Sequence, residues 1–333
     1  MRWRGGPFAR ARFLLASLLL IGATACERGG AGAPADDGRL RVALLHPGPI
    51  SDGSWNAGAY EGLKRIEKDL GAEISQMQTS TPDEFEQGFR DYAEQGYDLI
   101  FGHGFEFQDA ALAVGSDYPG TAFVVSSGSV ESPNVASLKF QLGEATYLAG
   151  ILAASLSKSG RAGCVGGIRL PVIQNTFDGF QAGARSVAPD FVVAMAFTGS
   201  FEDVAAAKAA TDAMIAQGAD FVLQNADSAG LGVIQSAKDH GAYAIGTNSD
   251  QNTVAPDTVL ASAVISIPQA FLDVAREVVE RRFRGRVIEE GLASGVVSLV
   301  INPKLEDRIP AEVQARIQTA KQQIENGERK VVP

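Results

Sequence analysis

From residue 39 onward, short apolar runs alternate with longer stretches in which apolar residues recur every three or four positions. Residues 40–45 (LRVALL) predict a strand, and in 56–70 the residues Ala59, Leu63, Ile66 and Leu70 share one helical face. A strand at 73–77, a helix at 82–95, a strand at 98–101, a helix at 108–116 and a strand at 122–125 follow. The second of these helices opens on Pro82, in the first turn, where proline is tolerated. The pattern then restarts with helices at 143–157, 174–187, 203–217 and 229–239, interleaved with strands at 162–165, 191–196, 220–223 and 242–245. Strands alternating with helices imply an α/β fold built on parallel sheets. The two halves also echo each other in letters. Gln95-Gly96-Tyr97-Asp98-Leu99-Ile100 lies 122 residues before Gln217-Gly218-Ala219-Asp220-Phe221-Val222. In each, a helix closes at glycine and a strand opens after aspartate, which predicts two similar lobes.

Ligands of open α/β sheets sit beyond the carboxyl ends of the strands. Those ends are rich in glycine and polar residues here: 46–56, 102–107, 126–129, 166–175, 198–203, 225–230 and 246–251. Two facing sets of such loops make a cleft, a favoured place for a small molecule. The motifs of phosphate loops, dinucleotide folds, zinc proteases and serine hydrolases are absent. His46, His103 and His240 share no metal-ligand spacing, and His240 at a helix end suits the dipole there. His46 and His103 fall in cleft loops and are candidates for ligand contact. Asp52, Glu106, Asp203, Asp227 and Asp250 fall there too, although loops carry aspartate for turns and caps as well. The expectation is a binding protein, not an enzyme, with no cofactor and no metal.

A length of 333 residues fits two domains of about 150 each. Residues 1–25 hold four arginines and no acid, leaving 25 basic against 39 acidic residues beyond them, or −14. A chain this acidic is not built to hold a nucleic-acid backbone. The basic start, the apolar run at 13–21 (FLLASLLLI) and Ala23-Thr24-Ala25 read as a secretory signal peptide over 1–25. Cys26 directly after the small residues resembles a bacterial lipoprotein signal, which implies lipidation at Cys26; an ordinary signal peptide is the alternative. Residues 26–38 then form a flexible tether to a membrane facing the periplasm or the exterior. No apolar run is long enough to span a bilayer. Cys164, in AGCVGG, reads as a buried, inert thiol.

Several segments together carry a family likeness: SDGSWNAGAYEGLK (51–64), YDLIFGHGF (97–105), PNVASLKF (133–140), YLAGILAASLSKSGRAGCVGGIRLPVI (147–173), TGSFED (198–203), QGADFVL (217–223) and AIGTNSDQ (244–251). They resemble the basic membrane lipoprotein family, substrate-binding lipoproteins of ABC transporters whose characterised members bind purine nucleosides. The resemblance implies a type I periplasmic-binding fold, two Rossmann-like lobes joined by three crossing strands around a ligand cleft. It places lobe 1 at 39–138 plus about 263–290, and lobe 2 at 139–262 plus about 291–333. It also implies that Trp55 and Phe201 sandwich the base, at about 1–3 kcal/mol per stacked face. Packing at a helix start for Trp55, and a hydrophobic staple for Phe201, remain open alternatives.

Three positions depart from the family pattern. His46 stands where the family reads the base with aspartate, Asn248 where an aspartate binds ribose, and Ile265 where a lysine does. An Asp/Lys pair grips hydroxyls through charge-assisted bonds, which Asn and Ile do not supply. A nucleobase or another flat heterocycle therefore stands beside the nucleoside as the expected ligand. Asn56, Asp52, Phe105, Asp227 and Ser228 complete the candidate contacts, with Asp52 and Asn56 equally suited to cap the first helix. The implied role is capture by a monomer through hinge closure, with delivery to an ABC permease driven by its ATPase. A ligand sensor feeding a membrane signalling protein, and a nucleoside hydrolase using cleft carboxylates, are the competing readings.

Overall fold

The computed structural model describes residues 38–331. The expected signal peptide, the lipidation site at Cys26 and the tether up to residue 37 lie outside the described residues.

The central strands are apolar runs because helices cover both of their faces. In the first sheet β1 (Arg41–His46), β3 (Leu99–His103) and β4 (Ala122–Ser126) are buried almost throughout, while β2 (Glu73–Gln78) is the half-exposed edge. With β5 (Val135–Phe140) and β11 (Val287–Glu290) the order is β11-β5-β4-β3-β1-β2, and every pairing is parallel. Around it pack α1 (Trp55–Leu70), α2 (Pro82–Glu94), α3 (Gln108–Gly115) and α8 (Ile267–Val279). The second sheet repeats this plan with β6 (Arg161–Gly166), β7 (Val192–Phe197), β8 (Phe221–Asn225), β9 (Tyr243–Asn248), β10 (Val259–Ile265) and β12 (Val297–Ile301). Its order is β12-β10-β9-β8-β6-β7, parallel except for the antiparallel β10–β12 pair. Its helices are α4 (Leu142–Leu156), α5 (Pro171–Val187), α6 (Val204–Ala216), α7 (Gly230–His240) and α9 (Ala311–Glu325).

The result is a two-lobed α/β fold. The chain passes between the sheets three times: from β5 to α4, from β10 to α8, and from β11 to β12. One apolar core runs through these passages, joining Leu138 and Phe271 to Leu142, Ile265 and Val297. Each passage helix lies on the first helix of the lobe that it enters, α8 on α1 and α4 on α5. The second contact is backbone against backbone. A Cβ on Gly183 would sit 1.9 Å from the Tyr147 carbonyl oxygen, and one on Gly150 would sit 2.0 Å from that of Phe180.

The echoed letters play the same part in both lobes. Asp98 Oδ2 accepts the Arg41 N–H at 2.8 Å, ahead of the first sheet's central strand. Asp220 accepts the N–H groups of Lys158 and Ser159 at 2.7 and 3.0 Å, ahead of the second's. Gly96 (φ 77°) and Gly218 (φ 97°) make the left-handed turn that lets each helix end there. Among the described residues, no helix is long and apolar enough to cross a membrane.

Candidate functional site

A cavity of about 370 Å³ lies where the carboxyl ends of both sets of strands meet. Loops after β1, β3 and β4 form one wall, loops after β6, β7, β8 and β9 the other, and Phe140, Leu142 and Ile265 of the passages close its back. Of the candidate residues, Trp55, Phe201, Asp52, Asn56, Phe105, Asp227, Ser228 and Asn248 all line it; His46 does not.

Trp55 is the first residue of α1 and is half-buried. One ring face lies on the His103 imidazole, centroids 4.1 Å apart and planes at 24°, and Phe140 meets the ring edge-on at 6.2 Å. Trp55 also lines the cavity, so part of the indole is open to it. His103 itself is fully buried beneath the wall. Its Nε2–H donates to the Trp55 carbonyl at 3.0 Å and its Nδ1 accepts the Ser126 hydroxyl at 2.8 Å. Burial pulls its pKa down to about 3, so the ring is neutral, and the carbonyl acceptor fixes the tautomer. His103 thus supports the tryptophan rather than a ligand.

Phe201 precedes α6 and packs against Gly167, where a Cβ would come within 2.2 Å of the ring. Only glycine at 167 lets the aromatic settle there. The Phe201 carbonyl accepts the Ala229 N–H at 2.9 Å, tying this loop to the one after β8. The helix that follows is capped separately, by Asp203 Oδ1 accepting the Ala206 N–H at 2.9 Å.

His46 ends β1 and is buried. Its Nδ1–H donates to the Gly48 carbonyl at 2.6 Å, and Nε2 meets the Gln76 side-chain amide at 2.5 Å. Both ring nitrogens are committed within lobe 1, so His46 shapes the Pro47-Gly48-Pro49 turn that lines the cavity instead of lining it. This departs from the contact expected of it. Asp52 takes the capping role left open by the sequence. Its Oδ1 accepts the N–H groups of Ser54 and Ala57, both at 2.9 Å, and its Oδ2 accepts the Asn56 N–H at 2.7 Å and the Asn56 side-chain amide at 2.8 Å. A carboxylate here also faces the positive end of the α1 dipole.

On the other wall, Asp227 and Asn248 form a pair. Asn248 Nδ2 donates to Asp227 Oδ1 at 3.3 Å and approaches Asn225 Oδ1 at 3.5 Å. Burial pushes the Asp227 carboxyl up to about 7, with the Asp52 charge adding to it, the Asn248 donor opposing it and Glu106 contributing least. Both residues are left-handed, φ 48° and 67°. Ser127 (φ 56°) also lines the cavity, so three of the four described non-glycine residues with positive φ are here. Strain of this kind gathers where a fold holds a side chain for use. Across the mouth, Ser249 Oγ of one lobe donates to the Gly53 carbonyl of the other at 3.1 Å.

The apolar part of the cavity carried no expectation. Ile168, Leu170, Val172 and Ile173 line it at the start of α5, and Ile168 is 45% exposed. An apolar IRLPVI run straddling a helix start was the available signal. Among the described residues, no group of three or more metal-ligating side chains is assembled.

Comparison with known proteins matches residues 39–332 to the family described as "ABC transporter substrate-binding protein PnrA-like". An ABC transporter nucleoside-binding protein of Lactococcus lactis subsp. cremoris is 30% identical over 301 residues, 84% of each chain. A purine-binding protein of Brucella abortus is 28% identical over 294 residues, 86% of this chain and 83% of that one. Among solved structures, a solute-binding protein of an ABC transporter system from Aeropyrum pernix superposes with a TM-score of 0.81 at 24% identity, covering 88% of this chain and 93% of the other. The architecture is that of type I periplasmic-binding proteins, as the resemblance implied.

Proposed function

The chain belongs to the PnrA-like family of ABC transporter substrate-binding proteins, and from that premise we propose that it is a lipid-anchored envelope receptor that captures a purine-type ligand, nucleoside or nucleobase, and passes it to an ABC permease. Membership of a family of solute-binding proteins sets the hydrolase reading aside. The observation that carries the proposal is one cavity lined by an aromatic residue from each lobe, Trp55 and Phe201. Trp55 is backed on one face by a neutral imidazole and lines the cavity. A planar guest stacked on both rings is held fully only when the lobes are together, which couples binding to closure. The purine class is supported by the two sequence relatives, one a purine-binding protein and the other a nucleoside-binding protein. A nucleobase fits the departures from the family pattern, since Ile265 puts an apolar side chain on the back wall where a ribose-gripping lysine was expected. Cys26 is the proposed anchor, residues 26–38 the tether that begins at it, and the partner ATPase the source of energy.

Calorimetric titration with adenine and adenosine tests the sandwich. Trp55→Ala and Phe201→Ala each weaken binding about tenfold or more, the loss of one stacked face. Unaltered affinity in both variants would remove it.

A further inference from the structure

Among the described residues, four acidic side chains line the cavity, Asp52, Glu106, Glu202 and Asp227, and no Lys, Arg or His does. They differ in what they have left to give. Asp52 is saturated by four donors from α1 and its preceding turn. Asp227 has one long bond to Oδ1 from Asn248, and its Oδ2 meets no donor among the described residues. The turn after β8 holds Asp227 at φ 48°, so its place is set by the backbone and costs no further ordering when a guest arrives.

A second observation comes from the opposite lobe. Asn56 is 5% exposed and lines the cavity. Its amide nitrogen is given to Asp52, and its Oδ1 is buried without a partner. Six buried side-chain polar atoms lack partners among the described residues, and this is the one that belongs to a cavity-lining residue. Asp227 therefore brings to the cavity an acceptor that no described residue meets, whereas Asn56 Oδ1 is closed off from the cavity's water and belongs to the wall behind it. A carboxylate oxygen without a donor is costly to cover, and a guest that supplies the donor recovers that cost.

Resting on the reading of this cleft as a purine-type site, we propose that its preferred ligand is a planar heterocycle with a donor-rich edge, amino or ring N–H groups or a positive charge, and that Asp227 reads that edge. The aromatic residues select for flatness; the Asp227 carboxylate selects among flat molecules. Anionic heterocycles meet only like charge, and nucleotides are excluded by their phosphates. A heterocycle that presents acceptors alone leaves Asp227 Oδ2 unsatisfied.

The test is calorimetric titration of the full-length protein, near pH 8, with unsubstituted purine, adenine, diaminopurine and urate. Affinity rises about tenfold or more from purine to adenine, is at least kept in diaminopurine, and urate does not bind. Asp227→Asn and Asp227→Gly, both compatible with a left-handed backbone, narrow the purine-to-adenine gap to less than about threefold. Because the gap is a ratio within one protein, a general loss of folded material does not imitate the effect. Equal affinity for purine and adenine, urate binding as tight as adenine, or a gap that survives both substitutions overturns the inference. If heterocycles bind without discrimination, this inference alone falls; if none binds, the purine-type reading falls with it.

Discussion

Asp227 is a group that the unliganded fold would be more stable without. Its carboxyl rises from an ordinary 3.8 to about 7, chiefly through burial and then through Asp52. The folded state therefore holds its proton where the unfolded chain has already released it. Its contribution to stability is complete below about pH 4, declines as pH rises, and is gone above about pH 7. A rise of this size is worth at most about 4 kcal/mol; Asp227 is only partly buried and water in the cavity screens its charge, leaving about 2 kcal/mol. Asp227→Asn removes the ionisation, keeps an acceptor for Asn248 and tolerates the left-handed backbone. In urea unfolding of the ligand-free protein, the variant exceeds the parent by a few tenths of a kcal/mol near pH 4 and by about 2 kcal/mol near pH 8. A variant no more stable than the parent near pH 8, or a gap that does not change with pH, would refute the reasoning. A gain of stability from losing a cavity residue is the expected signature of a group kept for binding.

Three further outcomes follow from the packing. Gly183→Ala drives a Cβ into the Tyr147 carbonyl oxygen, which neither backbone yields to, and costs about 3 kcal/mol in urea unfolding; Gly120→Ala, with nothing within 4 Å, stays within about 0.5 kcal/mol, and equal effects would dismiss the tight α4–α5 contact. Cys164 is fully buried and burial pushes its thiol up, so peptide mapping after iodoacetamide finds it unmodified in folded protein and alkylated in urea; ready labelling of the folded state contradicts this. Ser249→Ala deletes the hydroxyl that bridges to Gly53 across the cavity mouth and speeds ligand release about two- to fivefold in stopped-flow fluorescence, while an unchanged rate removes the bridge from the mechanism.

Between residues 39 and 248 most elements were legible because they are buried apolar runs or helices with a regular apolar face; β5 (Val135–Phe140) carried no expectation as a strand, since Ser137 and Lys139 interrupt its apolar residues and its neighbour β11 comes from far along the chain. The weak strand at 73–77 is weak for a reason visible in the fold: β2 is an edge and stays half-exposed. The elements after residue 248 divide differently. α8 spaces Ile267, Phe271, Val274 and Val278 as regularly as α1 spaces its own core, and is as readable. β11 and β12 are four and five residues long, and their partners lie far off in sequence, as in Val287 beside Ser137. Nothing local marks such segments as strands. At the site, residue types pointed to the aromatic and polar walls, but the fate of His46 depended on Gln76, thirty positions away. Leu170, Val172 and Ile173 look like the start of any amphipathic helix until the cavity is seen beside them.

Local rules are broken at few places in this chain, and the breaks around the cavity share a direction. The left-handed turn at Asp227, its raised carboxyl, and Asp52 and Glu106 on the facing wall all leave negative charge around the same space. They also come from both lobes: Asp52 and Glu106 act on Asp227 from across the cavity. Bringing the lobes together therefore brings like charges together, and an empty closed form carries that repulsion without relief. A donor-rich guest relieves it and adds two stacked faces. A neutral guest without donors adds the faces alone, and an anion makes the repulsion worse. Under this reading, the same carboxylate that destabilises the empty protein makes closure conditional on the right guest, since a ligand shifts an equilibrium only by its differential affinity for the two states. A permease that recognises the closed form then receives a filter against empty receptors, built from the charge that the cavity holds.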